Sequence, residues 1–135
     1  MKKTIVLMLL LGIIFTGYAQ AQEWYKLESA ETYVTDFLLA AGQTKEITID
    51  SAEPIIVGFK TDLTYAPNSH ELYKELMSKY KFKVIRISDK NGSAVSSISG
   101  GAGQFKPIDN KVVMEISNLI DRDFKIVIYK KTVDF

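Results

Sequence analysis

The sequence contains no cysteine, one histidine and one tryptophan among its 135 residues. Without cysteine the chain has no disulfide, no thiolate nucleophile and no thiolate metal site, so its fold has to be stabilised by packing alone. The sequence also has almost no excess of either charge, because 17 basic and 16 acidic residues leave a formal net charge of +1. So small a charge provides no field that attracts phosphate backbones, and we expect no nucleic-acid partner.

The first 21 residues have the pattern of a bacterial export signal. Lys2 and Lys3 precede an apolar run over residues 5–15, and Ala19-Gln20-Ala21 is the small-x-small pattern that signal peptidase accepts. The run is far shorter than the roughly 20 residues that cross a bilayer. We therefore expect cleavage after this signal, a mature domain of residues 22–135 without a membrane segment, and a periplasmic or secreted location.

Short alternating runs predict an all-β protein. The predicted strands cover residues 33–39, 44–50, 55–61, two arms of a hairpin within 80–99, 111–117 and 123–130. In the first strand, Tyr33, Phe37 and Leu39 are predicted on one face. One helix is predicted over residues 69–79, after the break at Pro67. Six to eight strands with turn signals every eight to twelve residues favour an antiparallel β-sandwich with one short inserted helix.

The hairpin allows two registers. A two-residue loop at Asn91-Gly92 pairs Ile85 with Ile98 and Ser88 with Val95. A three-residue loop that begins at Lys90 pairs Ile87 with Val95 and Val84 with Ile98. The second register aligns two apolar pairs and is the one we favour.

Two glycine-containing segments imitate ligand-binding loops. Asp89-Lys90-Asn91-Gly92 resembles the first half of a calcium loop, but its glycine comes early and the final glutamate is missing. The segment over residues 100–103 is not followed by the Lys-Ser/Thr of a phosphate-binding loop. We interpret the first as a hairpin turn and the second as a flexible loop.

The lone histidine does not make a metal or catalytic motif. His70-Glu71 begins like the zinc-protease pattern H-E-x-x-H, but Lys74 occupies the position of the second imidazole. We therefore predict no metal and no cofactor. A small hydrolase that uses Ser69 and His70 remains an alternative, although no nucleophile-elbow pattern G-x-S-x-G is present.

Three aromatic residues lie in segments predicted to be a loop or an extended segment at the start of the mature domain. Trp24, Tyr25 and Tyr65 would suit stacking on sugars, or anchoring a protein partner, if their rings are exposed. The alternative for Trp24 is that it covers the edge of the core, since large aromatic side chains are mostly buried. These three residues are the predicted ligand-binding positions.

The strand rhythm over residues 37–130 resembles the pre-peptidase C-terminal type of jelly-roll domain. The resemblance is carried by Leu39-x-x-Gly42-Gln43-x-x-x-Ile47-x-Ile49, Ile87-x-Asp89-x-Asn91-Gly92 and Phe124-Lys125-Ile126-Val127-Ile128. The helix over residues 69–79 and Asp121-Arg122-Asp123 depart from that pattern. The resemblance implies a jelly-roll fold and a non-catalytic accessory role, and it assigns no site residues.

These observations together predict an exported, non-catalytic binding or accessory protein whose partner is a protein or a glycan. Two alternatives come from other classes. One is the small hydrolase described above, and the other is a structural subunit that associates through its edge strands.

Overall fold

The computed structural model describes residues 23–81, 85–89 and 94–133. The predicted export signal and the tip of the predicted hairpin lie outside these residues. The described part of the chain contains one 3₁₀ helix (Asp62–Tyr65), one α-helix, α1 (Ser69–Tyr80), and eight strands: β1 (Thr32–Leu39), β2 (Thr44–Asp50), β3 (Ile55–Thr61), β4 (Ile85–Asp89), β5 (Ala94–Ser97), β6 (Gly100–Phe105), β7 (Lys111–Asn118) and β8 (Phe124–Thr132).

The strands form two four-stranded antiparallel sheets. The first sheet has the order β1-β8-β3-β6, and the second has the order β2-β7-β4-β5. The chain passes from one sheet to the other at every connection except the one between β4 and β5, which are neighbours. This strand order is that of an eight-stranded jelly roll. The predicted antiparallel sandwich with one short helix is therefore confirmed.

Inward-facing side chains of both sheets fill the space between them. The largest fully buried side chains include Phe59, Phe105 and Phe124 of the first sheet and Met114 of the second. Helix α1 adds Leu76 to this core. Such dense apolar packing supplies the stability that a chain without disulfides requires.

A bulge in β1 changes one predicted face. The register shifts between Tyr33, which pairs with Tyr129, and Thr35, which pairs with Ile128. Val34 consequently packs against the core, while Tyr33 lies on the outside and is 47% exposed. The prediction that Tyr33 shares a face with Phe37 and Leu39 is wrong, because a bulge reverses the alternation on one side of it.

The predicted loop over residues 100–103 is also wrong, because these residues begin strand β6. Gly101 and Gly103 face Val95 of the opposite sheet, and a Cβ atom would lie 2.6 Å from one Val95 methyl at Gly101 and 2.9 Å from the other at Gly103. The glycines therefore permit two backbones to approach closely instead of making the chain flexible.

The structure decides between the two hairpin registers. Ile87 pairs with Val95 and Ile85 pairs with Ser97, as the three-residue loop requires. The favoured register is confirmed for these pairs, while the loop itself and Val84 lie outside the described residues.

We expect Gly101→Ala to lower the free energy of unfolding by about 2 kcal/mol, because the added methyl overlaps Val95. Val95→Ala removes the opposing methyls and leaves a small cavity of its own. The double variant should therefore be more stable than the sum of the two single effects predicts, by about 1 kcal/mol or more. Urea unfolding of all four proteins measures this coupling, and strictly additive effects would contradict the packing described here.

A candidate ligand-binding surface of aromatic rings

The outer face of the first sheet is apolar at its centre. The strand register places Tyr129 between Tyr33 and Gly58, and Val127 between Asp36 and Lys60. Val127 and Tyr129 point away from the core, yet they are only 0% and 6% exposed. Residues 23–31, which we call the leading segment, pass over this face and are bonded to side chains of β3 and the 3₁₀ helix.

Lys60 holds the leading segment in place. Its Nζ donates to the backbone oxygen of Lys26 at 3.2 Å and to Oε1 of Glu31 at 2.8 Å, and it lies 5.4 Å from the centre of the Tyr129 ring. The hydroxyl of Tyr65 donates to the same Lys26 oxygen at 3.1 Å and accepts from the Lys26 amide at 3.2 Å. The backbone of Lys26 is therefore held in place by the side chains of Lys60 and Tyr65.

Gly58 makes room for this arrangement. A Cβ atom there would collide with the Tyr129 ring and would lie 2.8 Å from the backbone oxygen of Gly101. Because Gly58 has no side chain, the Tyr129 ring can lie over strand β3, where the ammonium of Lys60 reaches its face.

The pair of Lys60 and Glu31 is largely removed from solvent. Burial by itself would raise the pKa of Glu31, but hydrogen bonds from Lys60 and from the Glu28 amide outweigh it and hold the pKa below its ordinary value. Burial likewise opposes the charged form of Lys60, but the hydrogen bond to Glu31 and the negative charge of that carboxylate act together against it, and the pKa of Lys60 is raised.

The leading segment brings four aromatic rings together. We call Trp24, Tyr25, Tyr33 and Tyr65 the aromatic cluster. The ring centre of Trp24 lies 5.3 Å from that of Tyr25 and 6.2 Å from that of Tyr65, both edge to face, and Tyr25 stacks on Tyr33 with 6.0 Å between ring centres. The three predicted positions thus meet in one cluster.

Tyr33 is the member of the cluster that the sequence analysis missed, since it was assigned to the core face of its strand. The signal that could have found it is the pair Tyr33-Val34, two large apolar residues side by side near the start of the strand. Such a pair is compatible with a bulge but also with a strand that is buried on both faces.

The cluster borders an open cleft of about 920 Å³. The residues that line it are Glu23, Trp24, Tyr25, Lys26, Leu27, Tyr33 and Asp36. Tyr33 and Tyr65 are the most accessible of the rings, with 47% and 37% of their surface exposed. The cleft volume is within the roughly 300–1,000 Å³ typical of ligand sites.

Two carboxylates set the electrostatics of this cleft. The hydroxyl of Tyr33 donates to Oδ1 of Asp36, and this hydrogen bond raises the pKa of Tyr33 to about 12. Burial, followed by the negative charges of Glu23 and Asp36, raises the pKa of Tyr25. The hydroxyls of Tyr25 and Tyr33 therefore stay protonated near neutral pH. Hydroxyl groups and carboxylate acceptors thus lie beside the apolar surfaces of the rings.

A second depression lies near the end of α1. Its volume is about 1010 Å³, and its lining includes Tyr80, Leu119 and Asp121. The polar groups here are already bonded to one another, because Tyr80 donates to Asp121 and Lys79 lies 3.5 Å from the same carboxylate.

Ser69 and His70 lie in the first turn of α1, and His70 is exposed. An exposed imidazole is not the enclosed, hydrogen-bonded base that a hydrolase requires. Within the described part of the chain, no group of three or more His, Cys, Asp or Glu side chains could hold a metal ion. No helix among the same residues is long and apolar enough to span a bilayer.

Comparisons with known proteins bear on the fold. No protein-family model and no curated protein matches the chain. Among solved structures, it is similar to a de novo designed double-stranded β-helix, with 12% identity and a TM-score of 0.44 over 72% of this chain and 96% of that one. It is also similar to a cupin domain from Bordetella pertussis Tohama I, with 10% identity and a TM-score of 0.37 over 80% of this chain and 88% of that one.

The jelly-roll assignment rests on the strand order of the chain itself. The expected resemblance is thus confirmed at the level of a jelly roll, whereas no family model supports the pre-peptidase C-terminal type in particular.

We expect Glu31→Gln to lower the free energy of unfolding at neutral pH by about 2 kcal/mol, because it leaves the largely buried Lys60 without a counter-charge. The pKa of Glu31 is lowered by folding, so its stabilising effect is present above the ordinary value of 4.5 and is lost as the pH falls through the lowered pKa. The two proteins should therefore converge in stability at strongly acidic pH.

Urea unfolding at neutral and at acidic pH, followed through the single tryptophan, Trp24, measures this difference. Glu75→Gln, an exposed change on α1, is the matched control and should have little effect at either pH. An unchanged difference between wild type and Glu31→Gln at acidic pH would show that the ion pair is not its cause.

Proposed function

We propose that the chain is an exported, non-catalytic binding module that binds a glycan at the aromatic cluster. One observation carries this proposal. Three separate parts of the chain, namely the leading segment, β1 and the 3₁₀ helix, contribute rings to one cluster beside an open cleft. Export rests on the signal pattern of the first 21 residues.

The chemistry of the cleft favours a sugar. A pyranose ring presents apolar C–H faces and hydroxyl edges, so it requires flat apolar surfaces beside hydrogen-bonding groups. The cluster supplies the surfaces, and Glu23 and Asp36 supply carboxylate acceptors at the same cleft. Aromatic side chains of this kind combine large contact area with little conformational entropy to lose.

A protein partner is the second candidate, and a feature of β1 favours it. This strand is at the edge of the first sheet, and Leu38 on its outer face is 57% exposed. Leu38 and Tyr33 are thus exposed apolar residues of the same edge strand, which is suited to strand addition by another chain. A jelly-roll accessory role of the pre-peptidase C-terminal type would be compatible with either partner.

The hydrolase alternative is the weakest of the three. It would need His70 in a concave, desolvated site, and the imidazole is exposed at the surface of α1.

Fluorescence titration of the mature chain with a panel of neutral and charged oligosaccharides tests the glycan proposal, because Trp24 is the only tryptophan. Tyr33→Ala should weaken binding by roughly tenfold, the cost of losing one ring contact. Tyr65→Ala should weaken it at least as much, because it removes a ring of the cluster and both hydrogen bonds to the Lys26 backbone. Tyr73→Ala removes a tyrosine of similar exposure, 42%, from α1 and should leave the affinity unchanged.

Equal weakening by Tyr73→Ala would place the binding site elsewhere. If no oligosaccharide perturbs Trp24, while the mature chain self-associates on size-exclusion chromatography in a way that Leu38→Lys abolishes, the edge-strand interaction replaces the glycan proposal.

A further inference from the structure

The cleft beside the aromatic cluster carries an excess of negative charge. Glu23 and Asp36 are opposed there by one ammonium, that of Lys26, so the lining residues have a net charge of −1. Lys60, under the leading segment, is already paired with Glu31. In the described part of the chain, the ion pairs join Lys60 to Glu31 and Lys79 to Asp121, which leaves both carboxylates of the cleft without such a partner.

The aromatic rings strengthen the negative electrostatic potential that the two carboxylates create in the cleft. The face of a tyrosine or tryptophan ring carries the negative part of its quadrupole and attracts cations. Asp36 also accepts the hydroxyl of Tyr33, which fixes its carboxylate at the rim of the cluster. The rings of Trp24, Tyr25 and Tyr33 and both carboxylates therefore line the same cleft.

An organic cation fits this arrangement better than a metal ion or an anion. Within the described residues, no third His, Cys, Asp or Glu joins the two exposed carboxylates to form a metal-binding group. A phosphate or carboxylate ligand would meet both negative side chains. An ammonium attached to an apolar frame can use the rings and the carboxylates together.

Resting on the proposed glycan-binding function, we propose that the ligand at the aromatic cluster is a sugar that carries a protonated amino group. The sugar ring lies against the aromatic cluster, and the ammonium lies between Asp36 and Glu23. The site thus distinguishes an amino sugar from its N-acetylated form, which has a similar ring but no charge.

The matched ligands are a glucosamine tetramer and the corresponding N-acetylglucosamine tetramer. At about pH 6 carboxyl groups are ionised and amino groups are protonated, given their ordinary pKa values. Titration followed by Trp24 fluorescence should show the glucosamine tetramer binding at least about fivefold more tightly, with the preference falling as salt is added.

Asp36→Asn keeps an oxygen that can accept from Tyr33 but removes the charge, so it should abolish most of the preference, measured as the ratio of the two tetramers' affinities. Asp50→Asn, an exposed change on β2 in the other sheet, is the matched control and should preserve the preference.

Equal binding of the two tetramers through Tyr33 and Tyr65 would overturn the amino-sugar inference while leaving the proposed glycan function intact. If neither these tetramers nor the neutral oligosaccharide panel perturbs Trp24, both proposals fail. A lysine tetrapeptide that binds as tightly as the glucosamine tetramer would show that charge alone is recognised, and it would overturn the sugar part of the inference.

Discussion

The contact between the ammonium of Lys60 and the leading segment is the interaction on which the candidate site depends. A largely buried ammonium is costly unless oxygens surround it, and here those oxygens come from the Lys26 backbone and the Glu31 carboxylate. Both belong to the leading segment, so satisfying one charge on β3 determines where that segment lies. Trp24 and Tyr25 are consequently positioned beside Tyr33.

The same contact explains how the jelly roll carries a site on its outside. Large side chains such as Phe59, Phe105 and Phe124 fill the space between the sheets. These side chains belong to the core, so the candidate site lies on the outer surface. The leading segment buries the apolar centre of the outer face at Val127 and Tyr129, and its aromatic residues extend that covered face to the cleft. Folding stability and the candidate binding surface thus share the same residues.

Sequence patterns predicted the strands well wherever apolar and polar side chains alternate between the buried and the exposed face. Strands β2 and β3 have the predicted bounds, and helix α1 ends one residue later than predicted. The pattern failed for β6, because glycine has no side chain to alternate and its role became visible only through the methyls of Val95. It failed again at Tyr33, where a bulge changed which residues face the core.

The sequence by itself determined the all-β class, the position of the one helix, and the choice of Trp24, Tyr25 and Tyr65 as ligand-binding candidates, and it favoured the register that pairs Ile87 with Val95. Each of these follows from local periodicity, turn chemistry or residue type. Only the tertiary structure decided that the three aromatic residues meet, and that Tyr33 joins them. Their proximity depends on a bulge and on contacts between residues 29 or more positions apart, such as Lys60 with Glu31, which local patterns do not encode.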